Sequence, residues 1–288
     1  MFNLDRFNKI MAVLAVTISY LYCGEDTSFL RYLPSNLGSC PSFLQNIDQI
    51  YVINLDARYE KWERTRDELE KYGLNALRVS GVNGWAMDRG LIKEVRRESL
   101  KWNCLSDGQL GCFLSHLTVL KAALKQQHKC IWVLEDDIVV LEDLREIDTL
   151  IDKMNVFDPE WDLLFTNINN RIDARMDKPM LTFEMVMGPK FNYSLMTDPN
   201  FISKEDNDFR RIQYRLGTYS MIISERGVKK LLSYFKKEKI KFPVDMQIHC
   251  CPDKRFYVSK KEYVFYEKKE SDTGLIPSTS VNITASKK

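Results

Sequence analysis

The feature that most constrains the fold of this chain is the run Ile131-Trp132-Val133-Leu134, apolar without a break and stopped at once by three consecutive carboxylates, Glu135-Asp136-Asp137. A short apolar run bounded in this way has the composition of a buried strand. Similar runs, rich in β-branched and aromatic residues, recur at 49–55, 76–82, 161–165, 218–223 and 263–266. Between them apolar residues return at helical spacing. Trp62, Leu69 and Tyr72 precede Gly73, a helix-ending residue, while Leu110, Phe113, Leu114, Leu117, Leu120 and Leu124 mark a helix over 108–126. Glu142-Asp143 open an acidic helix start, and Ser224 stands where it caps a helix through Val228, Leu231, Leu232 and Phe235. Strands alternating with helices imply an α/β fold, with ligands at the carboxyl ends of the strands.

Composition removes several classes of function. The 42 Lys and Arg nearly balance 40 Asp and Glu, so there is no concentrated basic face of the kind that nucleic acid requires. With 15 Phe, 13 Tyr and 5 Trp to pack away, the chain is not disordered. Its cysteines (Cys23, Cys40, Cys104, Cys112, Cys130, Cys250 and Cys251) form no CxxC pair, which points to buried free thiols rather than a disulfide scaffold or zinc ribbon. His249-Cys250-Cys251 lacks a second ligand pair at a usable spacing and reads as structural.

The amino terminus differs from the rest. Arg6 and Lys9 precede an apolar run over 10–22, shorter than the roughly 20 residues that span a bilayer and of signal-peptide length, with no small-residue cleavage site after it. Signal peptide, membrane-surface helix and buried helix all stay open. Peripheral membrane association stays open with them, as does a place in the secretory pathway, the envelope or on the cytoplasmic face of a membrane. The expected organisation is a leader over 1–45, a catalytic domain over 46–272 and a flexible tail over 273–288. Within the domain, 167–214 is polar and weakly periodic, and reads as a long functional loop that selects the acceptor.

The acidic triplet carries the chemistry. Adjacent carboxylates repel one another unless a cation or solvent compensates, and hard ions such as Mg²⁺ and Mn²⁺ take carboxylate oxygens and share them with substrate phosphates. Glu135, Asp136 and Asp137 therefore suggest a metal–diphosphate site, although alone such a triplet more often marks acidic turn residues facing water. On the helix over 108–126, His116 falls one turn after Cys112 and two after Gln109, with Gly111 leaving room for close backbone approach. That stripe either lines a nucleotide pocket or holds a satisfied core histidine between Phe113 and Leu120.

Five segments occur in order: Ile50-Tyr51-Val52-Ile53-Asn54-Leu55-Asp56-Ala57-Arg58; Gly108-Gln109-Leu110-Gly111-Cys112-Phe113-Leu114-Ser115-His116; Val133-Leu134-Glu135-Asp136-Asp137; Gly217-Thr218-Tyr219-Ser220-Met221-Ile222-Ile223-Ser224 with Gly227; and Pro243-Val244-Asp245. Together they resemble glycosyltransferase family 25, which includes lipooligosaccharide and collagen galactosyltransferases, over about residues 49 to 272. The resemblance implies a GT-A type nucleotide-sugar fold with a single mixed, mostly parallel sheet flanked by helices. It also implies a UDP-sugar donor, UDP-galactose first among the candidates, and inverting, Mn²⁺- or Mg²⁺-assisted transfer to a glycan acceptor such as lipooligosaccharide or a glycoprotein. Residue by residue, Glu135 and Asp137 fall to the metal, while Asn54, Arg58, Ser115, His116 and Asp136 fall to the donor.

Asp245 is the expected general base, with His116 as the next catalytic candidate. The triplet is committed to the diphosphate side, whereas Asp245 comes late in the chain at the start of a new segment. Two departures from the family pattern are Lys61, where Arg is usual, and Gln109, where Glu is usual. They suggest a rival in which the same fold is a catalytically silent binding protein. A metal-dependent phosphohydrolase is a third reading, but it lacks a second ligand cluster.

Overall fold

The apolar run behind the triplet is a strand inside a sheet that is covered on both faces. The computed structural model describes residues 37–40, 42–95, 105–167 and 201–266. In chain order they form β1 (Gln49–Asn54), α1 (Tyr59–Glu70), β2 (Leu77–Ser80), α2 (Arg89–Val95), α3 (Asp107–Lys125), β3 (Cys130–Glu135), β4 (Ile138–Val140) and α4 (Ile147–Phe157). Then follow β5 (Leu163–Phe165), β6 (Phe209–Arg211), β7 (Ser220–Ser224), α5 (Glu225–Glu238), α6 (Val244–Gln247), β8 (Phe256–Ser259) and β9 (Val264–Tyr266). Seven strands make one sheet in the order β2-β1-β3-β7-β5-β8-β6. β1 runs parallel to β2 and β3, and β5 to β8, while β7 is antiparallel to β3 and β5, and β6 to β8. Five strands thus share one direction and β6 and β7 oppose them, which makes the fold α/β with a mixed central sheet flanked by helices.

Alternation along β3 explains its unbroken hydrophobicity. Ile131 and Val133 pack with Leu110, Phe113 and Leu117 of α3 and with Val228, Leu231 and Phe235 of α5. Trp132 and Leu134 point the other way, into a second cluster with Trp62 and Leu69 of α1 and Leu150, Ile151 and Met154 of α4. A strand with a helical layer on each face has no polar side, so a continuous apolar run is the sequence it needs. The polar tip of buried Trp132 is satisfied, since its Nε1 donates to Ser220 Oγ at 2.9 Å.

Local signals act as expected. Gly73 follows α1 with φ of 69°, in the left-handed region, and the Ser224 hydroxyl accepts from the Gly227 nitrogen at the start of α5. Three arrangements differ from the expectation. The segments 138–140 and 263–266 do not extend the main sheet; β4 and β9 pair with each other as a separate two-stranded sheet, so there are two sheets rather than one. Part of the supposed loop over 167–214 is regular, because β6 closes the sheet edge against β8, with Phe209 buried between polar neighbours. The third difference lies before β1, where Ser42 and Leu44 are buried and the Gln45 and Asn46 nitrogens donate to Asp148 on α4 at 2.9 and 2.8 Å. The apolar run 10–22, residues 168–200 and the tail 273–288 lie outside the described residues. Among the described residues no helix is long and apolar enough to cross a membrane.

Candidate active site at the carboxyl ends of β1 and β3

β2 lies on one side of β1 and β3 on the other, so the chain reverses its direction of winding at β1. In an open α/β sheet this switch point leaves a crevice beyond the strand ends, where ligands bind. Glu135, at the end of β3, stands beside Ile53 of β1 in the register. Because β7 is antiparallel, it enters the sheet where β3 leaves it, and the Glu135 nitrogen donates to the Tyr219 carbonyl at 3.0 Å. That entry brings Gly217, Thr218 and Tyr219 to the acidic strand end.

The other wall of the crevice is the loop after β2, which is docked tightly on α3. A Cβ on Gly111 would lie 2.6 Å from the Gly84 nitrogen and closer still to the Val82 carbonyl oxygen; a Cβ on Gly84 would run into the Asp107 carbonyl. Only two facing glycines permit this approach. Ser115 fastens it, its hydroxyl accepting from the Val82 nitrogen and donating to the Gly111 carbonyl, both at 2.8 Å. Gln109, one of the two departures from the family pattern, is half of a capping box. Its Oε1 accepts from the Ser106 nitrogen at 2.8 Å while the Ser106 hydroxyl accepts from the Gln109 nitrogen at 3.0 Å. Glutamine and glutamate serve equally at that position.

The three carboxylates are held in different ways. Glu135 Oε1 accepts from Thr218 Oγ1 at 2.7 Å and faces His116 Nε2 at 3.2 Å, so Nε2 carries the proton toward an ionised carboxylate. Burial pushes Glu135 up, but the His116 hydrogen bond and charge and the Thr218 hydroxyl outweigh it and hold the group below its ordinary value. Asp136 Oδ2 accepts from Asn54 Nδ2 at 2.6 Å, and Lys61 Nζ lies 4.0 Å from Oδ1. The same Asn54 amide also donates to the Arg58 carbonyl at 2.7 Å, and Asn54 Oδ1 accepts from Arg78 Nε at 2.8 Å. Asp137 is raised to about 7 by burial and by the charges of Glu135 and Asp136, and its buried Oδ1 has no hydrogen-bond partner. Asp245 lies in the first turn of α6, accepts from the Gly217 nitrogen at 3.0 Å, and is raised by burial, with the Glu135 charge adding.

Two cavities meet at this strand end. One, of about 100 Å³, is walled by the tips of β1 and β3, Lys61 and the loop 81–85, with Ser115 behind. The other, of about 230 Å³, is walled by Gln109, Thr218, Tyr219, Asp245 and Tyr266. Cys112, Glu135 and Asp137 belong to both walls. Asn54, Ser115, His116, Glu135, Asp136, Asp137 and Asp245 are therefore gathered at one end of the sheet. The Arg58 side chain is exposed, and its backbone carbonyl is the part tied to Asn54.

A hard cation fits what the chain offers: Asp137 Oδ1 is a buried oxygen donor without a hydrogen-bond partner, in the field of the neighbouring Glu135 and Asp136 carboxylates. Cys112, His116 and Glu135 also bring one ligand atom each within 4.8 Å of one another. There, however, burial and then Glu135 push the Cys112 thiol well up, and sulfur suits softer ions. His249 is a satisfied core histidine, its Nε2 accepting from the Arg215 nitrogen at 3.1 Å and its Nδ1 facing the Gln213 carbonyl at 3.2 Å. The five described cysteines are all free.

Thr218, Tyr219 and Tyr266 had no assigned role in the sequence reading. Thr218 and Tyr219 sit in the motif segment 217–224, but their place depends on the direction of β7, which composition does not encode.

The same stretch of chain answers to a known family model. Glycosyltransferase family 25 (LPS biosynthesis protein) matches residues 47–248. The chain belongs to glycosyltransferase family 25. Procollagen galactosyltransferase 1-B of Xenopus laevis is 25% identical over 208 residues, 69% of this chain and 30% of that protein. Procollagen galactosyltransferase 2 of Homo sapiens is 23% identical over 231 residues, 77% of this chain and 33% of that protein. Inactive glycosyltransferase 25 family member 3 of Homo sapiens is 25% identical over 126 residues, 41% of this chain and 21% of that protein. The chain thus spans about a third or less of the length of these curated relatives. Family 25 holds members named as galactosyltransferases and members named as inactive, so activity has to be argued from the site.

Proposed function

We propose that this family 25 chain is a hexosyltransferase of GT-A type that moves a hexose, galactose first among the candidates, from a UDP-sugar to a hydroxyl of a glycan acceptor with inversion at C1. One observation carries the reading: the two cavities share Glu135 and Asp137, so a donor diphosphate in one and an acceptor in the other would meet at the acidic strand end. On this reading Glu135 and Asp137 hold a divalent cation, Mn²⁺ or Mg²⁺, which when bound supplies positive charge to the departing diphosphate. Asn54 fixes Asp136 on the donor side, and Lys61 adds a charge near the phosphates. Ser115 keeps the loop 81–85 against α3, so that the donor wall does not move. His116 orients Glu135 by donating to it.

Asp245 serves the acceptor. A carboxylate kept above its ordinary pKa by burial is a better proton acceptor than an exposed one. As the acceptor oxygen attacks C1, its proton passes to Asp245 and the C1–O bond to the diphosphate breaks with its electron pair leaving on UDP. A base on the side opposite the leaving group gives inversion.

The test is UDP release from a panel of UDP-sugars, with Mn²⁺ and with excess chelator. Metal-dependent release from one donor is expected. UDP binding without release from any donor would support the silent binding protein instead, and release of free phosphate would support a hydrolase. Membrane association and the fate of residues 1–24 form a separate proposal: a chain lacking them stays soluble and active, which expression of the truncated protein checks.

A further inference from the structure

The larger cavity has an aromatic wall that the proposed chemistry does not use. Tyr266 and Tyr219 both line it, with ring centroids 5.2 Å apart and planes tilted by 49°. Tyr219 is fixed from behind, because the Asn167 amide donates to its hydroxyl and the Arg215 guanidinium lies 5.8 Å from its ring centre. Phe265 stacks on Tyr266 at 4.8 Å and 27°. Tyr266 is half-buried, whereas Tyr219 is buried, so Tyr266 is the ring available to a ligand. β9 sets its place: Tyr266 pairs across the two-stranded sheet with Ile138, the residue after Asp137. The same cavity is lined by Gln109, Asp137 and Asp245, which bring hydrogen-bonding groups, and by Pro243 and Val244.

A cavity lined by both aromatic rings and hydrogen-bonding groups suits an amphipathic ring. A pyranose has this character, with C–H bonds on one face, drawn to the negative face of an aromatic ring, and hydroxyls at its edge. At about 230 Å³ the space is smaller than the roughly 300–1,000 Å³ of sites that enclose a drug-sized ligand, and it suits one ring rather than a chain of them. Two pyranoses could present that face: the donor's hexose and the acceptor's terminal sugar. Asp245 shares the cavity with Tyr266, whereas Lys61 and the loop 81–85 wall the smaller cavity. We infer that Tyr266, backed by Tyr219, is the platform on which the acceptor's sugar ring stacks. This deepens the transferase reading and rests on it for the naming of the two sides.

The experiment uses the full chain with saturating UDP and methyl β-D-galactopyranoside or methyl β-D-glucopyranoside as probe, followed by saturation-transfer NMR. Titration calorimetry of UDP and UDP-galactose runs in parallel. Saturation is expected to reach the ring C–H protons of at least one glycoside. Tyr266→Ala and the bulkier Tyr266→Leu should weaken that binding by about tenfold or more, with Tyr266→Trp restoring it, while UDP and UDP-galactose affinities stay within about twofold of wild type. Absence of transfer to both glycosides in the wild type overturns the inference, as does undiminished binding in the Ala and Leu variants. A loss of UDP-galactose affinity with UDP affinity intact also overturns it, by assigning the ring to the donor. None of these readouts needs turnover. A chain without transferase activity can still bind the glycoside, and an active one can fail to bind it at Tyr266, so the two failures are distinguishable.

Discussion

Replacing Gly111 by alanine sets two opposite effects against each other. In a free helix the change stabilises by about 0.8–1 kcal/mol, because glycine is the costlier residue in a helix interior. Here the new Cβ would lie 2.6 Å from the Gly84 nitrogen and closer to the Val82 carbonyl, both of them backbone. A side-chain tip can swing aside, but backbone must move as a segment, and overpacking of this kind costs about 1–3 kcal/mol. Displacing the loop also breaks the 2.8 Å bond from the Val82 nitrogen to Ser115 Oγ, worth about 1 kcal/mol. The clash and the lost bond outweigh propensity, leaving a net destabilisation of about 1–3 kcal/mol. At about 2–4 °C per kcal/mol, Tm falls by several degrees. Since the loop walls the smaller cavity, UDP affinity should fall by about tenfold or more in the same variant. Gly84→Ala breaks the same contact from the other side, so the double variant should cost little more than the worse single one. Thermal unfolding and titration calorimetry read both quantities. An unchanged or raised Tm for Gly111→Ala refutes the packing argument; a lowered Tm with unchanged UDP affinity refutes the loop's part in the donor wall.

Asp137→Asn should keep the fold and lower turnover at least about a hundredfold, or about 2.7 kcal/mol of transition-state stabilisation, and undiminished wild-type turnover in excess chelator contradicts it. In chelator-treated protein the same variant should gain stability over wild type as pH rises from about 5 to about 8: burial first, then Glu135 and Asp136, hold folded Asp137 near 7, above the about 3.9 of an unfolded aspartate, so the unfolded state gives up this proton first. Asp245→Asn should lower kcat by about 10² to 10⁴ and leave UDP-sugar affinity nearly unchanged; loss of donor binding in proportion to rate would move the base to His116. Asp158 tests the frame rather than the site: burial would raise it, but the Tyr257 hydroxyl, the Glu160 nitrogen and Arg255 together hold it low. Its contribution is therefore present above about 3.9 and lost as pH falls through the depressed folded value, so the difference in urea stability between wild type and Asp158→Asn should shrink between about pH 5 and pH 3.

What the sequence discloses here follows from how far apart the cooperating residues lie. β3 and its acidic stop are consecutive residues, and α3 writes its buried face every three or four positions, so both are legible without a structure. Ser224 and Gly73 act within one turn of their own helices. Strand direction and partnership are not local. β7 and β3 have much the same apolar composition, yet only antiparallel entry of β7 puts Thr218 against Glu135. β6, at three residues, is too short to show a period, and β9, whose run at 263–266 is legible, has a partner distant in the chain that is not.

Gln109 shows how the same limit affects the site. Compared with the family pattern it looked like lost chemistry, because a pattern records which residue type is usual and not which bond it makes. Its side chain closes a capping box with Ser106, and that bond needs only an acceptor oxygen, which an amide supplies as well as a carboxylate. The argument for a silent protein therefore loses one of its two supports. The other, Lys61 in place of arginine, keeps its charge 4.0 Å from Asp136. A single ammonium lacks the two-pronged grip of a guanidinium, so this exchange bears on how the donor's phosphates are held rather than on whether Glu135, Asp137 and Asp245 are present to act.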